Sequence, residues 1–150
     1  MSYFCDGFKK MTKPSKRILD IVNLLPLEEG LRVLEIGCGT GVAAREICAR
    51  FKNIYVLAID RSDKAIAQSI ASSATEIESG KLAFEKSSIE DLELKQVPLF
   101  DFAFAIRVGA IDGRHPELEK RAKEKIKAVL KENGKLFIDI SDNSVVEIPL

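Results

Sequence analysis

Residues 33–41 read VLEIGCGTG, and no other stretch limits the fold of this chain as tightly. An apolar run ends in three glycines spaced two apart, Gly37, Gly39 and Gly41, and a helical pattern, Val42 to Arg50, follows. Glycine permits positive φ and lets a ligand approach bare backbone, but it weakens helices and strands where neither is needed. The expectation is a buried strand turning sharply into a helix, with a ligand above the carboxyl end of the strand, as in doubly wound sheets. The spacing also excludes two neighbouring motifs. A dinucleotide fingerprint is GxGxxG, and its third glycine position is Val42 here. A phosphate-binding loop needs GxxxxGK followed by Ser or Thr, which this loop lacks.

The flanking pattern alternates helix and strand. Ile18, Leu19, Val22 and Leu25 recur at helical spacing, so Ser15 to Leu25 reads as an amphipathic helix ended by Pro26. Arg32 to Ile36 is the first strand and Ile54 to Ile59 the second. Ser62 is a candidate N-cap for one helix from Asp63 to about Glu78, and Gly80 suits the left-handed position after it. Lys81 to Lys86 and Phe102 to Ile106 read as the third and fourth strands. Pro116 to Leu130 is a charged amphipathic helix with proline in its first turn. After an Asn133-Gly134 turn, Lys135 to Ile140 is the fifth strand. VVEIPL is a sixth, and the short Ser141 to Ser144 connection allows an antiparallel hairpin but no parallel crossover. The expected fold is therefore α/β, a doubly wound sheet of about five parallel strands and one antiparallel C-terminal edge strand, with helices on both faces.

Asp60 directly follows the second strand. A carboxylate there can accept from both ribose hydroxyls of a nucleoside and would repel a 2′-phosphate. The plainer alternative is a turn residue ahead of the helix at Asp63.

Composition narrows the partners. Among 150 residues, Lys plus Arg and Asp plus Glu both number 23, so no global basic field disposes the chain toward nucleic acid. Cys5, Cys38 and Cys48 are odd in number and form no CxxC pair, which points away from disulfides and structural zinc, toward reduced thiols in a cytoplasmic protein. No apolar run reaches bilayer-spanning length.

VLEIGCGTG followed by an acid closing the next strand resembles the class I SAM-dependent methyltransferases (SAM, S-adenosylmethionine). LAFEKSSIEDLEL, LFDFAFAI and LKENGKLFIDI resemble that family's third, fourth and fifth strand regions, in order. The resemblance implies one Rossmann-like domain over 15–150 that binds SAM and leaves S-adenosylhomocysteine as product. Glu35 and the Gly37, Cys38, Gly39 and Gly41 backbone would hold the methionine part. Asp60 and the adjoining Arg61 would hold the ribose side, and Ser88 and Ile89 would flank the adenine. Ala105, Ile106 and Arg107 would lie near the reactive methyl. At the position of Ser88 the family often carries an acid, and serine accepts more weakly. Family chains usually continue past the fifth strand with another helix and two strands. VVEIPL is expected in the antiparallel slot, with the acceptor apparatus small or supplied by a partner.

Arg107 to His115 is the most unusual segment. Arg107 faces an acidic acceptor or pairs with Asp112, while Asp112 and His115 are candidate general bases. The plainer reading makes Asp112-Gly113 a turn and His115 the residue before a helix-starting proline. Cys38 is read as a small side chain tolerated between glycines. Residues 1–14 form an arm whose Tyr3, Phe4 and Phe8 either close over the site as a lid or cover the core. A small-molecule acceptor is the first expectation, with a protein acceptor open, nucleic acid disfavoured and no membrane partner. An unpaired outer sheet edge would admit a homodimer. Two other readings remain, a SAM-binding module without catalysis and a nicotinamide-dependent oxidoreductase, the latter opposed by Val42 and the GxGxG spacing.

Overall fold

The computed structural model describes residues 13–94, 98–108, 111 and 114–150. Most of the expected arm therefore lies outside the described residues. The elements run α1 (Lys16–Leu24), β1 (Arg32–Ile36), α2 (Val42–Arg50), β2 (Tyr55–Asp60), α3 (Asp63–Ser72), α4 (Ala74–Glu78), β3 (Leu82–Lys86), a 3-10 turn (Ile89–Asp91), β4 (Phe100–Ala105), α5 (Pro116–Val129), β5 (Leu130–Ile140), a 3-10 turn (Ser141–Asn143) and β6 (Ser144–Ile148). Among the described residues six strands form one sheet in the order β3-β2-β1-β4-β5-β6. β1 pairs in parallel with β2 on one side and β4 on the other, β2 with β3, and β4 with β5; β6 is antiparallel to β5, with Ile140 opposite Ser144.

Alternation along the strands sends successive side chains to opposite faces. Val33, Val56, Ala58, Phe102 and Phe104 pack beneath α1, α2 and α3 through Val22, Ile47 and Ile66. Leu34, Ile36, Leu57, Ile59 and Ala103 pack against Ile89, Ile111, Ala122 and Ile126 on the other face. Glu35 shares the α2 face with Val33, a carboxylate among apolar neighbours. The sheet order reverses between β1 and β4, and in such sheets ligands bind in the crevice at that switch point.

Local chemistry explains the helix starts. The Ser15 and Ser62 hydroxyls accept from the backbone N–H groups of Ile18 and Ala65, capping α1 and α3. Three expectations are corrected. The helix expected from Asp63 to Glu78 breaks at Ser73, which is fully buried with φ −127° and ψ 27°. Arg45 Nη1 donates to its hydroxyl at 3.0 Å, a cross-element contact without local signature. The fourth strand starts at Phe100, so Ile106 lies just past its end. The expected Asn133-Gly134 turn falls within an interruption of the β4–β5 ladder, which passes from Phe100–Leu130 directly to Phe102–Lys135. A Cβ on Gly134 would stand 2.7 Å from Leu130 Cβ, so the crossing backbone requires glycine there.

Candidate functional site

The loop between β1 and α2 is held in an unusual backbone shape. Gly37, Gly39 and Gly41 have φ of 70°, 55° and 81°, all left-handed. The Asp60 carboxylate accepts from Gly39 N at 2.9 Å through Oδ2 and from Ser62 N at 2.9 Å through Oδ1. Asp60 thus performs the turn role of the plainer reading while also tying the glycine loop to the end of β2. Each of its oxygens keeps a further lone pair for a ligand. Ser69 Oγ donates to Gly39 O at 2.8 Å, and Arg45 Nη1 donates to Thr40 O at 2.7 Å. Gly37 lies against Val108, and Gly41 against Phe84 and Arg45, at distances that exclude a Cβ; Gly39 has open space instead.

Two clefts adjoin this loop, and a third shares Arg107 and Val108 with the first. The first, about 510 Å³, gathers Ile36, Gly37, Asp60, Arg61, Ser88, Ile89, Arg107 and His115. Ser88 Oγ donates to Asp91 Oδ2 at 3.0 Å, which turns its lone pairs elsewhere. Ile89 is both buried core and cleft wall.

The second cleft, about 420 Å³, is lined by Glu35, Gly37, Cys38, Gly39, Ile106 and Arg107, with Arg17 and Lys13 from the side of α1. Glu35 is 2% exposed, and its Oε1 has no hydrogen-bond partner among the described residues. Burial raises its carboxyl to about 8, and the negative charge of Asp60 adds to this; Arg45 and the Ala44 N–H act in the opposite sense. Burial, then the charges of Glu35 and Asp60, pushes the Cys38 thiol far above the ordinary range. A thiol so held is no nucleophile, in agreement with the reading of Cys38 as a small side chain.

The third cleft, about 450 Å³, opens between the ends of β4 and β5 and the 141–143 turn. Arg107 lines all three clefts. Asp112 lies outside the described residues. His115 lines the first cleft with Asp60 and Ser88 and stands at the start of α5 without a side-chain capping bond. Sequence reasoning missed Arg45, Ser69, Arg17 and Asp139. Asp139 accepts from Arg107 N at 2.8 Å through Oδ1 and from Arg17 Nη2 through Oδ2. Among the described residues no cluster of potential metal ligands occurs, and no helix is long and apolar enough to cross a membrane.

Comparison with known proteins extends the geometry. Residues 27–147 match the family described as methyltransferase domain. The sterol 24-C-methyltransferase of Aspergillus fumigatus is 32% identical over 114 residues, 76% of this chain and 29% of that protein. The chain spans under a third of the length of the curated relatives it matches, 29% and 31%. Among solved structures, the (4+2)-cyclase SpnF superposes with a TM-score of 0.64 at 26% identity, over 81% of this chain and 43% of that one. Coclaurine N-methyltransferase, bound to N-methylheliamine and SAH (S-adenosylhomocysteine), superposes with a TM-score of 0.66 at 19% identity, over 86% of this chain and 37% of that one. At that identity the likeness concerns the fold.

Proposed function

The chain belongs to the methyltransferase-domain family, the class I Rossmann-like methyltransferases, and from that premise we propose that it transfers a methyl group from SAM to a small-molecule acceptor. The observation that carries the proposal is the buried carboxylate of Glu35. Glu35 lines a cleft beside a left-handed glycine backbone, and its buried Oε1 has no hydrogen-bond partner among the described residues. An orphaned, desolvated oxygen suits a cationic amino group, and bare glycine backbone gives that group room to approach.

When bound, SAM supplies a methyl group on a sulfonium, already activated for displacement. The residues then need chiefly to bind, orient and exclude water. Glu35 would accept from the amino group of the methionine part. Asp60 would use its remaining lone pairs for the ribose hydroxyls, next to Arg61. Ile89 would pack on the base, and Ser88, its proton committed to Asp91, would accept from it. His115 lines the cleft of Asp60 and Ser88, so we assign it to the nucleoside end. Ile106 and Arg107 stand where the clefts meet, and the third cleft is left for the acceptor. The sterol 24-C-methyltransferase names of the curated relatives favour a small molecule over a macromolecule.

The test is incubation of the full chain with methyl-labelled SAM and fractionated small-molecule extracts. Label passing into a small-molecule fraction is the expected result. Bound SAM with no transfer would favour the second reading, a binding module.

A further inference from the structure

Among the described residues, non-glycine backbone enters the left-handed region at Arg107 (φ 57°), Asp142 (φ 66°) and Asn143 (φ 55°). All three line the third cleft. Such conformations are costly, persist only where the surroundings over-determine them, and gather at functional sites. For Arg107 the determining contact is visible. Asp139 accepts its backbone N–H at 2.8 Å while its other oxygen takes the Arg17 guanidinium. Both Asp139 oxygens are therefore engaged inside the protein, and its charge is matched by Arg17. The Arg107 guanidinium has no such match in Asp139, which touches only its backbone. One side of the wall is apolar, with Ala105, Val108, Ile111 and Ile138 beside Ile140, the last 43% exposed, and the turn adds the polar Ser141 and Asn143. The acid of the rim, Asp142, is exposed at the outer turn.

We propose that the acceptor joins an apolar body to a carboxylate, and that Arg107 is the residue that selects it. A planar guanidinium fork matches a carboxylate in two parallel hydrogen bonds, whereas a neutral amide of the same shape cannot use its charge. The strained backbone fixed by Asp139 presents that fork at the junction with the two clefts assigned to SAM. This inference rests on the methyltransferase reading above.

The experiment uses the full chain saturated with SAH. Octanoate and 3-phenylpropanoate are titrated against octanamide and 3-phenylpropanamide, with Arg107→Leu and Arg107→Lys alongside. At least one acid should bind about tenfold or more tighter than its amide, as a charge-assisted pair warrants. Arg107→Leu should erase that preference and Arg107→Lys should keep part of it, with SAH still bound by both variants. Two results overturn the proposal: no acid preferred over its amide in a chain that binds SAH, or an Arg107→Leu variant that loses SAH affinity instead of the preference. If SAH fails to bind the wild-type chain, the methyltransferase reading itself falls, and that failure is separately visible.

Discussion

Glu35 lies 2% exposed beneath the glycine loop, protonated in the ligand-free fold over a range where an exposed glutamate is ionised. Its carboxyl stands at about 8 against an ordinary value of 4.5, so between those values the folded chain binds a proton that the unfolded chain has lost. The folded state then holds more protons, and stability falls as pH rises through that window. Glu35→Gln should remove this dependence. Its ligand-free melting temperature should exceed that of wild type at pH 8 by about 3 °C or more, and the gap should close toward pH 5. Holding an amino group requires the ionised carboxylate. SAH affinity should therefore rise from pH 6 to pH 8 with proton release on binding, and the variant should bind weakly with a flat profile. Calorimetry in two buffers of different ionisation enthalpy checks this; a flat wild-type profile would contradict it. Asp60 and Arg45 bear on the same carboxyl, one with it and one against it. Of these three, Glu35 was legible through the family resemblance and Asp60 through its place directly after the second strand. Arg45 was not, because its partner Ser73 becomes a neighbour only when α2 meets the α3–α4 break. Arg17 and Asp139, 122 positions apart, were illegible for the same reason.

At the scale of elements, the β1–α2 loop separates two uses of glycine. A Cβ at Gly41 would meet Phe84 Cζ and Arg45 Nη1, each at 2.9 Å, on a backbone at φ 81°. Gly41→Ala should lower the melting temperature by about 5 °C or more, since a left-handed alanine and overpacking both destabilise. Gly39 has nothing within 4 Å of the same atom, so its alanine variant bears the backbone penalty alone. Gly39→Ala should melt closer to wild type yet lose SAH affinity by about tenfold or more, if that open space receives the ligand. Thermal melts paired with SAH titrations check the ordering, and unchanged affinity in Gly39→Ala would remove the loop from the binding site. The alternation of strands with helices and the antiparallel edge were readable because apolar runs were short, and only a few residues join the last two strands; the order of strands across the sheet was not read. The break at Ser73 was not, because no glycine or proline interrupts residues 63–78 and the interruption belongs to a buried guanidinium. Nor did local pattern foresee the left-handed pair Asp142 and Asn143, which turns β5 into β6 and rims the third cleft.

Across the whole molecule, the sheet carries three clefts to one end, and Arg107 stands where they join. β1 supplies Glu35 and the loop, β2 supplies Asp60, Ile106 and Arg107 follow the end of β4, and β5 supplies Asp139. The family motif spoke to the first two clefts, because backbone recognition leaves a glycine signature. The third is assembled from side chains on α1, β4, β5 and the last turn, so it appears only in the folded chain. The most direct test of the central claim is calorimetric titration of the full chain with SAH, with NADH as a comparison and Asp60→Ala as a variant. The account predicts one SAH per chain and no NADH binding. It also predicts a loss of about a hundredfold in the variant, from two charge-assisted ribose bonds together with the loop anchor at Gly39. No SAH binding by the wild-type chain, or NADH bound in its place, would contradict it.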